Sequence, residues 1–216
     1  MTDHHTLQLF TKNVPAHQVV CSPLSRLVVD MERFADDAKE SMSTKGMGVV
    51  YNKTSQGGKL RRQLTNHERQ DLLKKWYEPH HLRLTQCVKT ALSHFGRCLV
   101  IDCHSYLSQP LPYEEYPEAQ RPQICIGTDD VHTPQMLAKQ TMRYFADCGY
   151  TVAENMPFKG ALVPLTYYGS DTRVSALMIE IRRDIYMNES NGERHEGFMQ
   201  LQRDIAKVCS RFNEGK

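Results

Sequence analysis

The chain has 216 residues, with 27 Lys and Arg against 25 Asp and Glu and a formal net charge of +2. That balance excludes a polybasic nucleic-acid arm and an acidic tail as the organising feature. Hydrophobic residues make up 40% and charged residues 24%, enough for a folded chain with a real core and no compositional sign of disorder. No run of about 18 apolar residues is present, so no transmembrane helix is expected. The opening Met-Thr-Asp-His-His-Thr lacks the basic and apolar regions of a signal peptide, so a cytoplasmic protein is expected. Seven cysteines (Cys21, Cys87, Cys98, Cys103, Cys125, Cys148, Cys209) are scattered with no Cys-x-x-Cys spacing. They read as buried free thiols in a reducing compartment.

In chain order, a short helix is expected over Thr6 to Thr11, then strands at Gln18–Ser22 and Leu27–Asp30. Residues 36–63 are polar and glycine-rich, with one apolar patch at Val49–Tyr51, and read as a lid or long loop. Asn66 starts a capped helix through Leu72, Leu73, Trp76 and Tyr77, which Pro79 is expected to interrupt or kink. The helical period resumes from Leu82 to Phe95. Cys98–His104 is a near-continuous apolar run, as in a strand covered on both faces. Gln123–Gly127 is a second buried strand, Pro134–Cys148 an amphipathic helix, Tyr150–Ala153 a strand, Val174–Ile181 the longest late strand and Phe198–Phe212 a final helix. Strands alternating with helices give an α/β class with a mixed, mostly parallel sheet between helix layers, read as one domain over 1–216.

In such sheets ligands gather beyond the carboxyl ends of the strands. Those ends carry Asp30 with Arg33 a helical turn on, Asp102-Cys-His104-Ser105, and Glu180-Ile-Arg-Arg183. A polar side chain inside an apolar strand is unfavourable by several kcal/mol unless it is paired or used. Period two puts Asp102 and His104 on one face and Cys103 on the other. Alone, His104 reads as a satisfied buried histidine more often than as a ligand, Glu180 as an ion-paired edge carboxylate as often as not, and Arg33 as a surface or structural arginine. Together, a histidine, a glutamate and an arginine are what a metal-assisted hydrolase of an acidic substrate needs. The imidazole binds Zn²⁺, the carboxylate takes a proton from water, and the guanidinium grips a substrate carboxylate.

Five segments then carry a family resemblance: Ser25-Arg-Leu-Val-Val-Asp-Met-Glu-Arg33, Trp76-Tyr-Glu-Pro-His-His81, Ile101-Asp-Cys-His-Ser105, Asn155-Met-Pro-Phe-Lys-Gly160 with Tyr168-Gly169, and Ala176–Met187. In this order they resemble the N-formylglutamate amidohydrolase family, relatives of the zinc carboxypeptidases and aspartoacylase. The resemblance implies a three-layer α/β sandwich of the phosphorylase/hydrolase, zinc carboxypeptidase type, one Zn²⁺ per chain and a role in histidine degradation. It implies His104 as a zinc ligand and Asp3, of the Thr-Asp pair, as a second, with His4 or His5 as substitutes unless that terminus simply frays. Glu180 is the implied catalytic base. Arg33, Arg183, Arg26 and His81 are the implied substrate-binding residues.

Two departures stand out. Glu32 occupies the position of the family's Asn, which would put a negative charge beside a carboxylate site, and Arg182 replaces a smaller neutral residue. The family's first strand, ending Pro-His-Ser and supplying a metal ligand, has no counterpart before Met1, so that strand and ligand are expected to be missing. The implied reaction is zinc-dependent hydrolysis of a small acidic N-acyl amino acid, first of all N-formyl-L-glutamate. No nucleic-acid or membrane partner is implied, and oligomerisation is left open. The rival readings are a non-catalytic member that binds an acidic metabolite or partner, and a peptidase-like or cell-wall amidase.

Overall fold

The computed structural model describes residues 2–114 and 116–214. They divide into two compact units. The first is built mainly from Val20–Cys87 and Pro110–Pro117, the second from Asp3–Val19, Val88–Gln109 and Glu118–Lys216.

The second unit holds the sheet. Its strands are β1 (Cys98–Tyr106), β2 (Ile124–Gly127), β3 (Val152–Glu154) and β4 (Val174–Arg182), in the order β1-β4-β2-β3. β1 with β4 and β2 with β3 are parallel, while β4 with β2 is antiparallel. The mixed, mostly parallel sheet of an α/β protein is therefore present. The helices are α1 (Thr6–Phe10), α4 (Gln135–Asp147) and α5 (Gly197–Glu214), with the last turns of α3 (Glu78–Phe95).

Period two sorts the strands into two faces. On one, Leu177, Ile179, Ile181, Ile124 and Ile126 pack with Leu9 and Phe10 of α1, Phe145 of α4 and Leu201 and Ile205 of α5. On the other, Val174, Ala176 and Val100 pack with Val88 and Leu92 of α3 and with Val163. Asp102, His104 and Glu180 continue this second face toward the strand ends. Gly127 lies there too, and a Cβ at that position would collide with Met178 and the carbonyl of Gly160. Asn155 adopts a left-handed φ of 54°, which asparagine tolerates better than most residues. Its Oδ1 accepts from the Thr128 N–H at 2.8 Å and its Nδ2 donates to Thr128 Oγ1 at 2.7 Å. The Asn-Met-Pro-Phe loop is thereby tied to the end of β2.

The first unit is mostly irregular around Val29, Met31, Val49, Leu73 and Tyr77. The strands expected at 18–22 and 27–30 are absent. The backbone around Leu27 is instead occupied locally. The Val28 N–H donates to Ser25 O, and the Leu27 N–H donates to Ser25 Oγ at 3.2 Å. Arg61 donates to Leu27 O, and the Asp30 N–H makes one bond, to Val49 O at 2.8 Å. Such side-chain and turn bonds compete directly with a ladder. The 36–63 stretch buries Met47, Val49 and Tyr51 and contains a 3₁₀ turn at Ser41–Lys45, which Glu40 caps.

Helix α2 (Asn66–Leu72) starts at the expected residue. Thr65 is its cap, in a reciprocal capping box with Glu68. Pro79 does not break the run. A π turn at Leu73–Tyr77 widens the helix just before it, accommodating a residue that has no N–H to return to the preceding turn. Among the described residues, no helix is long and apolar enough to cross a membrane.

Candidate active site

The parallel ladder between β1 and β4 pairs His104 with Glu180 and Asp102 with Met178. Register partners in a sheet point their side chains to the same face, so the imidazole and the carboxylate leave neighbouring strands side by side. His104 is 6% exposed and Glu180 8%. Across the antiparallel pairing, Cys125 of β2 lies beside Glu180. Burial pushes its thiol up to about 11, so it is held as a neutral neighbour.

Two residues act as back supports. The Leu162 N–H donates to Asp102 Oδ2 at 3.0 Å, and Asp102 Oδ1 lies 3.0 Å from His104 Nε2. A carboxylate oxygen accepts, so Asp102 favours the His104 tautomer with its proton on Nε2, the one that can offer Nδ1 to a ligand. Asp3 is held in the same manner from its other side. Its Oδ1 accepts from the Ser105 N–H at 2.8 Å and from Ser105 Oγ at 3.2 Å. Asp3 Oδ2 then lies 3.6 Å from His104 Nδ1. That spacing is too long for a good hydrogen bond. It is close to the separation of about 3.4 Å between two ligands of one tetrahedral zinc with bonds of about 2.0–2.2 Å. An imidazole and a carboxylate, each backed by a hydrogen-bond partner, are donors of the type a divalent cation takes.

Arg183, 7% exposed, lies on the same strand end. Its Nε donates to Ser105 Oγ and its Nη2 to Ser105 O, both at 3.0 Å, and Nη2 lies 4.0 Å from Asp3 Oδ1. His4 and His5 are held by later segments of the chain. Tyr186 donates to His4 O at 2.7 Å. His5 Nε2 meets Gly192 O at 2.9 Å, and its Nδ1 accepts from Arg194 at 3.2 Å. Both nitrogens of His5 are thus engaged, which removes it as a substitute ligand. Burial, reinforced by Arg183, lowers the pKa of His4 and favours its neutral form.

The other anticipated residues belong to the first unit, each with partners there. Arg33 lies 3.6 Å from Asp30 and 3.5 Å from Glu40. Burial opposes its charge, but Tyr51, Asp30 and Glu40 outweigh that and push its pKa up. Arg26 donates to Glu32 at 3.0 Å, so the carboxylate that replaces the family's Asn has a cation beside it. His81 Nε2 meets Met31 O at 2.8 Å and its ring lies 4.1 Å from that of Tyr77. Burial lowers its pKa, against the opposing bond to Met31.

Sequence reasoning passed over Tyr51 and Glu40, which complete the buried Asp30–Arg33 cluster, and no local pattern announces them. It placed Asp102 on the face of His104 without giving it a task. The i, i+2 spacing in a strand was the available signal.

A family profile described as N-formylglutamate amidohydrolase matches residues 1–187. The chain is similar to the crystal structure of N-formylglutamate amidohydrolase from Ralstonia eutropha JMP134, at 27% identity and a TM-score of 0.79, covering 98% of this chain and 82% of that one. It shares a fold with a gene product of Agrobacterium tumefaciens, at 21% identity and a TM-score of 0.61, covering 88% and 69% of the two chains. No curated protein matches.

Proposed function

The chain belongs to the N-formylglutamate amidohydrolase family, and from that premise we propose that it hydrolyses N-formyl-L-glutamate to formate and glutamate in a zinc-dependent reaction. The observation that carries the reading is the register pairing of His104 with Glu180 at buried strand ends. We read 1–216 as one amidohydrolase domain of zinc carboxypeptidase type, with 36–63 as a long loop or lid, working in the cytoplasm in histidine degradation.

A zinc ion held by Asp3 and His104 would, when bound, polarise the acyl carbonyl and bring the pKa of a water down to about 7. Asp102 favours the His104 tautomer with its proton on Nε2, which offers Nδ1 as the ligand nitrogen. Glu180 takes the proton of the attacking water as the O–C bond forms, and returns it to the departing amine as the C–N bond breaks. Arg33, Arg26 and His81 are assigned to the substrate carboxylates through the motifs in which they stand.

The test is formate release across a panel of N-acyl amino acids and short peptides. N-formyl-L-glutamate is expected to be turned over best. Peptide cleavage without formate release would replace this reading with the peptidase-like one. Asp3 and His104 make two protein ligands where catalytic zinc usually has three. That observation favours, as a second reading, a member that binds an acidic metabolite without turning it over. Saturable binding of N-formyl-L-glutamate with no formate would identify it.

A further inference from the structure

Arg183 was anticipated as a fork for a substrate carboxylate, but its surroundings describe a different task. Its side chain is nearly buried, as is Ser105. Nε and Nη2 form one of the two edges through which an arginine grips a carboxylate in bidentate fashion. Here that edge is taken by Ser105, with Nε on Oγ and Nη2 on the main-chain oxygen, each at 3.0 Å. Ser105 in turn donates twice to Asp3 Oδ1, from its N–H at 2.8 Å and its hydroxyl at 3.2 Å. The hydroxyl has one proton to donate. By donating to Ser105 Oγ, Arg183 occupies one of its lone pairs and leaves the proton for the acceptors beside it, Asp3 Oδ1 and the Tyr186 hydroxyl. The guanidinium also lies 4.0 Å from Asp3 Oδ1, so its charge favours the same carboxylate position.

The result is a division of labour between the two oxygens of Asp3. Oδ1 is anchored by three donors or charges from two residues, and Oδ2 is left facing His104 Nδ1 at 3.6 Å. Free rotation of the carboxylate would exchange the two and lose that alignment.

We propose that Arg183 is a positioning residue, acting through Ser105 to orient Asp3 toward His104, and is not a substrate-binding residue. The metal-binding consequence rests on the hydrolase reading above. The positioning itself does not.

The experiment compares the full-length wild type with Ser105→Ala, Arg183→Lys and Arg183→Met. Zinc dissociation constants are measured by competition with a chromophoric chelator, and KM for N-formyl-L-glutamate is measured at saturating zinc. Ser105→Ala and Arg183→Met are expected to weaken zinc binding about 10- to 100-fold, as loss of outer support does at metal sites. KM should stay within about twofold, because no substrate contact is removed. Arg183→Lys keeps the charge but loses the planar two-point grip, so its zinc affinity should fall between those of wild type and Arg183→Met. Unchanged zinc affinity with KM raised about tenfold or more would overturn the proposal and restore Arg183 as a substrate fork. If the wild type takes up no zinc, the hydrolase reading fails and the clamp is judged in metal-free protein, by hydrogen exchange at the Ser105 amide. Faster exchange in Arg183→Met than in wild type supports the clamp, and equal exchange overturns it. Ser105→Ala removes only a hydroxyl and provides the same readout should Arg183→Met fold poorly.

Discussion

His104 on β1 and Glu180 on β4 are direct register partners in a parallel ladder, both nearly buried and on the same face of the sheet. That single relationship brings an imidazole suited to a metal and a carboxylate suited to proton transfer to one strand end, from segments 76 residues apart in the chain (180 − 104).

The first consequence concerns Glu180. Glu180→Gln retains shape but removes the base, so kcat should fall about 10²- to 10⁴-fold while zinc content is kept. Steady-state kinetics with metal analysis on the same preparation checks this. Retained turnover would remove Glu180 from the chemistry.

His104→Ala should lose zinc outright. Asp102→Asn should bind it about 10- to 100-fold more weakly, since the amide can present its NH₂ to Nε2 and turn the wrong tautomer toward Asp3. Chelator competition separates the two variants. Equal affinity in Asp102→Asn and wild type would show that the Leu162–Asp102–His104 relay has no influence on the metal.

In the first unit, Tyr51 donates to the buried Asp30 Oδ2 at 2.5 Å. Tyr51→Phe leaves that carboxylate one donor short in a site with almost no access to water, a loss of about 1–3 kcal/mol. Urea unfolding measures it, and an unchanged midpoint at unchanged slope would contradict it.

Alkaline pH should destabilise the fold through its thiols. Burial raises Cys125 and Cys209 from 9 to about 11. The folded chain keeps these protons where the unfolded chain has released them, so the contribution is full below pH 9 and is lost as pH rises through 11. For Cys125, which has no solvent exposure, the effect is on the order of 2 kcal/mol. Unfolding midpoints should therefore fall between pH 9 and 11, and less steeply in Cys125→Ala. A flat wild-type profile over that window would contradict the burial argument.

The sheet was legible in the sequence because its strands are near-continuous apolar runs, and Cys98–Tyr106 and Val174–Arg182 fall close to where composition puts them. His104 and Glu180 were legible for the same reason, as polar residues inside those runs. The first unit was not. Its expected strands at 18–22 and 27–30 have the composition of strands, but their polar backbone groups are taken by turns and by Arg61 from 34 residues away, which no local period encodes. The Arg183–Ser105–Asp3 clamp was equally hidden, since it joins the N-terminus to two strand ends that only the folded chain brings together.

The most direct measurement is formate released from N-formyl-L-glutamate by the full-length protein, stripped of metal and then titrated with zinc. The account predicts no release from the stripped protein, and formate and glutamate in equal amounts once about one zinc per chain is restored. No formate from the zinc-loaded protein, or release undiminished after complete metal removal, would contradict it.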